Sequence, residues 1–144
     1  MRGKCLCGGV EFTLEQTLGP FELCHCRRCQ KASGSAYAAF LTAKVEGYQI
    51  VSGKELIRSY QAPLVEVPPP YTVWFCSKCG SPVPDPEPDG ELFEVPGGVL
   101  DHAPHLYPDK HIFVDLKAEW EPIEHPPPQF TMKEIRAFRK KHGR

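Results

Sequence analysis

Apolar and polar residues alternate along short stretches of the chain, which is the pattern of strands buried on one face. Val10, Phe12 and Leu14 alternate with polar neighbours and form the clearest example. Two segments, 48–51 and 55–60, flank a short Ser-Gly turn, which predicts a hairpin. The sequence therefore predicts a mainly β fold of short antiparallel strands. Further strands are predicted at 36–41, 71–75, 92–95 and 111–115.

The C-terminal end is the only part of the chain with a helical signature. Thr131 and Glu134 have the spacing of a capping box, and Ile135 and Phe138 lie three residues apart. Residues 133–144 carry six basic side chains and one acidic one. We predict a solvated amphipathic helix, and contact with nucleic acid or a protein partner is the alternative.

Length and composition limit the classes of protein that need to be considered. The chain has 144 residues, 41% of them hydrophobic and 24% charged, which fits one globular domain and excludes a disordered chain. We expect this domain over residues 1–130, followed by a basic helical tail over 131–144. The net charge of −1 gives no reason to expect nucleic acid or a membrane as partner. Oligomeric state is left open between monomer and homodimer.

The longest apolar run covers only residues 36–41, far below the roughly 18 residues of a membrane span. Residues 1–4 lead into Cys5 without an apolar stretch, so we expect no secretory signal and a cytoplasmic location. Seven cysteines, an odd number, then favour metal binding over disulfides. Tetrahedral thiolate sites suit zinc, and an iron–sulfur cluster is the main competitor. The cysteines fall into three clusters, which are Cys5-x-Cys7, Cys24-x-Cys26-x-x-Cys29 and Cys76-x-x-Cys79-Gly80.

Seven thiols divide naturally into four and three. A structural zinc has four protein ligands, whereas a catalytic zinc keeps one position open. We therefore predict a structural site of Cys5, Cys7, Cys76 and Cys79, and a second site of Cys24, Cys26 and Cys29. Two alternatives remain open: a local five-thiol site between Cys5 and Cys29, and a closed second site with His25 or another histidine as fourth ligand.

The donor set indicates the chemistry of the second site. Three thiolates leave a bound Zn²⁺ with a formal charge of −1, so it is a weaker Lewis acid than a zinc held by neutral histidines. Such an ion is better suited to binding a substrate thiol as its thiolate than to making hydroxide from water. The sequence therefore predicts a thiol-dependent reaction.

The cysteine clusters lie within longer motifs, which are Gly3-x-Cys5-x-Cys7-Gly8-Gly9-Val10, Cys24-His25-Cys26-Arg27-Arg28-Cys29-Gln30-Lys31-Ala32-Ser33-Gly34-Ser35 and Phe75-Cys76-x-x-Cys79-Gly80. Together they resemble the glutathione-dependent formaldehyde-activating enzyme (GFA) family, the superfamily that also contains centromere protein V. The stretches 111–120 and 128–130 are similar to that family as well, so the resemblance runs from about residue 3 to residue 130.

The resemblance implies a fold of the β-tent type with two zinc ions per chain. Carried over by position, it gives the same ligand sets: Cys5, Cys7, Cys76 and Cys79 for the structural zinc, and Cys24, Cys26 and Cys29 for the catalytic zinc. It further implies a carbon–sulfur lyase-type reaction, in which glutathione and formaldehyde are joined as S-(hydroxymethyl)glutathione. The expected partners are a small thiol and an aldehyde.

Several other residues are weighed for roles near these sites. His25 lies between two predicted ligands and is the candidate helper for proton transfer or support, although an outward-facing side chain is the simpler expectation. Arg27 and Arg28 could attract an anionic thiol, or face solvent. His102 and His105 are expected on a plain surface loop, and a loop that lines a pocket is the alternative.

His111 opens an apolar strand, where it could form a core hydrogen bond or support the site. Large aromatics dominate small cores, so Trp74, Phe75 and Trp120 are expected in the core.

Two rival functions stay open at this point. The first is a non-catalytic module with two structural zinc ions that binds a protein or nucleic acid. The second is a redox or metal-buffer protein in which the Cys24 cluster forms a reversible disulfide.

Overall fold

A computed structural model describes residues 1–63, 70–102, 105–124 and 127–143, and its elements are mainly short strands. The predicted fold class, mainly β with a short C-terminal helix, is confirmed. Two α-helices accompany the strands, α1 at Arg27–Ser33 and α2 at Met132–Lys141. The strands are β1 Arg2–Lys4, β2 Glu11–Thr13, β3 Thr17–Cys24, β4 Ala38–Lys44, β5 Gln49–Ser52, β6 Ile57–Ala62, β7 Tyr71–Cys76, β8 Leu92–Pro96, β9 Lys110–Ile112 and β10 Gln129–Phe130.

The chain divides into two compact units. The first consists of Met1–Gly19 and Leu41–Leu106, and the second of Pro20–Phe40 and Tyr107–Arg144. The predicted division at residue 130 stays a prediction. In the described part of the chain, neither α-helix has the length and apolar composition needed to cross a bilayer.

In the first unit, β2 lies at the centre of an antiparallel sheet in the order β1-β2-β5. The predicted alternation is confirmed, because Phe12 is buried while Glu11 and Thr13 on either side are half-buried. Phe12 and Leu14 pack in a core cluster with residues from the following strands, which are Ala43, Phe93 and Val95.

A separate antiparallel ribbon of β6 and β7 also belongs to the first unit. Its register runs from Ala62 opposite Tyr71 to Ile57 opposite Cys76. The ribbon therefore places Cys76 at its end, next to a second core cluster. That cluster consists of Cys5, Val10, Ile57, Cys76 and Val83.

The predicted hairpin between 48–51 and 55–60 is wrong. Strand β5 pairs with β2, whereas β6 pairs with β7. Between them, Lys54–Leu56 forms a 3-10 turn that redirects the chain. Each of the two strands pairs instead with a strand elsewhere in the sequence.

In the second unit, β9 pairs in parallel with both β3 and β10, so this part is not purely antiparallel. In the register of β3 and β9, Leu23 lies opposite His111 and Cys24 opposite Ile112. Phe113 ends β9 with a φ of 58°, and a 3-10 turn follows, so the predicted strand 111–115 is shorter than expected. In the order of strands, β4 follows β3 and β8 follows β4.

The two helices had different outcomes. Helix α2 confirms the C-terminal prediction: Thr131 and Glu134 form the capping box, and Ile135 is only 1% exposed. Helix α1 was not predicted, because its seven residues carry no apolar stripe. The Cys26 sulfur caps its first turn and Gly34 ends it in the left-handed conformation.

Candidate metal centres

Four thiols from two distant parts of the sequence meet in the first unit. Their sulfur atoms all lie within 4.8 Å of one another. Cys5 Sγ is 3.5 Å from Cys7 Sγ, and Cys7 Sγ is 3.9 Å from Cys76 Sγ. A tetrahedral zinc with bonds of about 2.3 Å separates its sulfur ligands by about 3.8 Å, so these spacings suit such an ion. The group, called here the first thiol group, is Cys5, Cys7, Cys76 and Cys79.

Two tight turns bring these thiols together. The Gly8 N–H donates to the Cys5 carbonyl at 2.9 Å, and the Gly80 N–H donates to the Cys76 carbonyl at 2.8 Å. Both glycines have positive φ, 71° and 76°, a conformation that other residues rarely adopt. Each turn therefore begins at a buried cysteine, Cys5 or Cys76, and contains a second, more exposed cysteine, Cys7 or Cys79.

Hydrogen bonds around the first thiol group favour the thiolate at Cys79 and disfavour it at Cys7. The pKa of Cys7 is raised because the backbone hydrogen bond from Gly9 is outweighed by the contact with Cys5. The Val10 N–H donates to Cys5 Sγ at 3.3 Å. Hydrogen bonds from the side chain and backbone of Ser81 lower the pKa of Cys79 to about 5. All seven cysteines are free thiols. Four sulfur donors with this spacing can hold a metal ion and are consistent with zinc.

Three thiols meet in the second unit, where β3 leads into α1. Cys24 ends β3, Cys26 is the N-cap of α1, and Cys29 lies in the first turn of that helix. Their sulfur atoms lie within 4.8 Å of one another, and the backbone N–H of Cys29 donates to Cys26 Sγ at 3.5 Å. We call this set the second thiol group.

The two thiol groups decide between the ligand sets that the cysteine spacing left open. Cysteines from Cys5 to Cys29 do not form one five-thiol site, because they belong to two separate groups. Among the described residues, no histidine or carboxylate joins the second group as a fourth donor. The assignment of these thiols as structural and catalytic ligands stays a prediction.

The three thiols of the second group compete for one negative charge. Hydrogen bonds from Cys24 and Cys29 lower the pKa of Cys26 to about 2. Hydrogen bonds to Cys26 and Cys29, together with burial, raise the pKa of Cys24. A single thiolate is therefore stabilised by its neighbours, and further deprotonation is opposed by repulsion. A divalent cation removes that repulsion, so the donor set fits a metal ion.

A buried pair of histidines lies beside this group. His25 is 0% exposed, so the expectation of an outward-facing side chain is wrong. Its Nε2 lies 2.8 Å from Nδ1 of His111, and the Tyr37 ring packs 5.3 Å from the His25 ring centroid. Burial, followed by the proximity of His111, lowers the pKa of His25 to about 4, so the imidazole is neutral near pH 7. His111 thus forms the core hydrogen bond that was one of its two expected roles.

Gln30 is a buried polar residue that the sequence analysis did not single out. It follows Cys29 directly and is 8% exposed. Its amide nitrogen donates to the carbonyls of His25 and Leu116, at 2.5 and 2.9 Å. No local signal distinguishes this glutamine, because its partners are fixed only by the fold.

The remaining predicted residues are not among the sulfur donors of the two thiol groups. His102 and His105 are exposed, as expected for a surface loop, while residues 103–104 lie outside the described part. Trp74 packs, half-buried, against the cluster that contains Cys76. Trp120 is 70% exposed, so its expected core position is wrong. Arg27 is exposed and donates to Gln30 Oε1 at 2.7 Å.

Fold and sites together define a mainly β protein with two cysteine groups that can each hold a metal ion. Residues 1–116 match the model of the family described as glutathione-dependent formaldehyde-activating enzyme. The chain belongs to this GFA family. The match ends before β10 and α2, which therefore lie beyond it.

A comparison with solved structures agrees with the fold. The crystal structure of a Rhodobacter sphaeroides protein, a structural-genomics target, is similar with a TM-score of 0.54 and 22% sequence identity. The similarity covers 91% of this chain and 100% of that protein. At this identity the likeness concerns the fold alone. No curated protein matches the chain significantly.

Proposed function

We propose that this protein is a zinc-dependent carbon–sulfur lyase-type enzyme of the GFA family. Its substrate is a thiol–aldehyde adduct such as S-(hydroxymethyl)glutathione, and its reaction centre is the second thiol group, Cys24, Cys26 and Cys29. Zinc is the proposed metal, with two ions per chain, the other being a structural ion at the first thiol group. Free thiols at both groups suit the reducing conditions of the cytoplasm, which is the proposed location.

One observation carries this proposal: the second group has three sulfur donors and no fourth donor among the described residues. A zinc ion bound there would supply one open, soft coordination position at which a thiol binds as thiolate. The first group offers four donors and leaves no such position. The difference supports a reactive role for the second group only.

The charge of the second unit supports an anionic substrate. By sequence, this unit carries eleven basic and seven acidic side chains, whereas the first unit carries six basic and eleven acidic ones. Arg27, Arg28 and Lys31 all lie on α1, the helix that holds Cys29. A thiol that bears carboxylates, as glutathione does, is attracted by such a surface.

The proposed reaction balances without an added oxidant or reductant. In the direction of synthesis, the thiolate sulfur forms a bond to the carbonyl carbon of formaldehyde, and the carbonyl oxygen takes up one proton. The thiol proton is released when the thiol becomes thiolate, so the same number of protons leaves and returns. The reverse direction breaks the carbon–sulfur bond and releases the aldehyde.

His25 acts in this proposal as a supporting helper. Its imidazole is neutral near pH 7 because burial lowers its pKa to about 4, and its Nε2 is held by His111 at 2.8 Å. Its backbone N–H donates to the Ile112 carbonyl at 3.0 Å. These contacts hold His25, the residue between Cys24 and Cys26, in one position. They therefore restrict the directions in which the two thiols point.

Exchange spectroscopy with ¹³C-formaldehyde tests the proposal directly. The zinc-loaded protein should accelerate exchange between free formaldehyde and its glutathione adduct, and should act less on adducts of uncharged thiols. The Cys26→Ser variant should lose the acceleration. Exchange at the uncatalysed rate with every thiol tested would exclude the proposed activity.

A binding module without catalysis is the second candidate, favoured by the exposed lysines of α2. Lys133, Lys140 and Lys141 all face solvent. Removing α2 would not separate the two functions, since Ile135 is buried and Arg139 contacts Glu22 within the second unit. Replacing the three lysines with glutamine should leave the exchange reaction unchanged and weaken any binding to an acidic partner.

A further inference from the structure

We propose that Gln30 is a positioning residue that fixes the three thiols of the second group in place for the metal. The inference rests on the proposed function in one respect, namely that this group binds zinc. It concerns a side chain that is not itself a ligand and that acts through hydrogen bonds to the loop around it.

The Gln30 side chain has all of its polar atoms engaged. Its Nε2 donates to the His25 carbonyl at 2.5 Å and to the Leu116 carbonyl at 2.9 Å. Its Oε1 accepts from Arg27 Nη1 at 2.7 Å. An amide has two N–H donors and an oxygen with two lone pairs, so both donors are used and the oxygen accepts one bond. A side chain held at three points has little freedom to move.

These contacts join the two arms that carry the thiols. His25 lies between Cys24 and Cys26 on the strand side, whereas Gln30 follows Cys29 on the helix side. The bond from the Gln30 amide to the His25 carbonyl therefore links the two ends of the segment that contains Cys26 and Cys29. The bond to Leu116 attaches this segment to the 3-10 turn Val114–Leu116.

The peptide on the other side of His25, between Cys24 and His25, is also fixed. The backbone N–H of His25 donates to the Ile112 carbonyl at 3.0 Å, and the His25 ring is bound to His111. Gln30 donates from its side chain to the buried His25 carbonyl. Without this donor, the carbonyl loses a partner and the His25–Cys26 peptide is less firmly held.

A neutral amide suits this position better than a charged group. Three thiolates and Zn²⁺ give the site a net charge of −1, and a carboxylate beside them would add a second negative charge. It would also place an anion against two carbonyl oxygens. Residues that orient metal ligands by hydrogen bonds commonly change metal affinity by about 10- to 100-fold when they are replaced.

The test compares Gln30→Met with the matched control Gln61→Met in reduced, zinc-loaded protein. Gln61 is exposed on β6 in the first unit. Zinc retained per chain is measured against rising chelator concentration. We expect Gln30→Met to weaken the second zinc by about 10- to 100-fold and to leave the first unchanged, whereas Gln61→Met changes neither.

The first zinc serves as an internal control for folding. Equal weakening of both ions, or unchanged affinity of the second ion in Gln30→Met, would overturn the inference. A wild-type protein that binds only one zinc would overturn the proposed function as well, so the two failures are distinguishable.

Cobalt gives a second readout that does not depend on activity. With Co²⁺ in place of zinc, the sulfur-to-metal absorption of the second group should change in Gln30→Met and remain constant in the control. A Gln30→Glu variant keeps the shape of the side chain and should weaken the second site at least as strongly. Retention of wild-type affinity in Gln30→Glu would contradict the role of the amide donors.

Discussion

The two thiol groups lie in surroundings of opposite character. Cys5 and Cys76 of the first group are 1% and 0% exposed and pack with the apolar residues Val10, Ile57 and Val83. The buried polar and charged side chains of the described residues all belong to the second unit, and these are Glu22, His25, Gln30 and His111.

This difference separates the two roles that cysteine groups can have. An apolar setting around two of its thiols stabilises a closed four-thiol group by packing. Buried polar groups are costly unless each has a partner, and proteins concentrate such groups where function requires them. We infer that the first group holds the fold together and that the second is the reactive one.

The largest expected effect follows from breaking the first group. Cys76→Ser removes one ligand from a site built into the core. Zinc binding of about 10–16 kcal/mol can exceed the whole stability of a domain, about 5–15 kcal/mol. We expect the first unit to unfold or to lose its cooperative thermal transition, as measured by circular dichroism. A variant that melts like the wild type would show that this group does not stabilise the fold.

Breaking the second group should reduce activity instead of stability. In Cys26→Ser the hydroxyl can still cap α1, because serine is a favoured N-cap residue. Since changes beyond the ligands already cost about 10- to 100-fold, loss of a ligand should lower the exchange rate by about 100-fold or more. The melting temperature should stay close to that of the wild type. Full activity in this variant would place the reaction elsewhere.

The polar network of the second unit also contributes to stability. Arg139 Nη2 contacts Glu22 Oε2 at 2.6 Å, and Lys110 lies 3.9 Å from the same carboxylate. Arg139→Met leaves Glu22 with one cation, so we expect a loss of about 1–2 kcal/mol, less than for a fully buried pair. Chemical denaturation measures the change, with exposed Lys140→Met as the control. Equal effects of both substitutions would argue against the ion pair.

The smallest expected effect concerns a single hydroxyl beside the first group. Ser81 accepts from the Leu6 N–H at 2.9 Å and lies 3.5 Å from Cys79 Sγ. Because its hydrogen bonds lower the pKa of Cys79, Ser81→Ala should weaken the first zinc, by about 10-fold or less. Chelator competition checks this, with exposed Ser77→Ala as the control. A loss from the second zinc instead would contradict the assignment.

Local signals in the sequence were enough for part of this picture. Alternation predicted β2, and the spacing of Thr131 and Glu134 predicted α2 with its capping box. Counting seven thiols as four and three predicted the two groups that the fold brings together. The strand and the helix depend on residues close together in the sequence, and the two groups follow from the number of cysteines and the number of ligands that zinc takes.

Features that depend on distant contacts were not predictable in this way. His25 and His111 are separated by 86 positions, as are Gln30 and Leu116. Helix α1 has only seven residues and begins with a cysteine sulfur as its cap, so its sequence shows no helical period of apolar residues. The pairing of β5 with β2 overrode the hairpin that the Ser-Gly turn suggested, because partners in a sheet are chosen by the whole fold.

Native mass spectrometry of the reduced protein tests the central claim most directly. We predict two zinc ions per chain, one of which leaves on mild chelation, and glutathione retained only while both ions are present. Two ions that resist chelation equally and do not retain glutathione would contradict an open second site. A single zinc under reducing conditions would contradict it as well, and would favour a redox role for Cys24, Cys26 and Cys29.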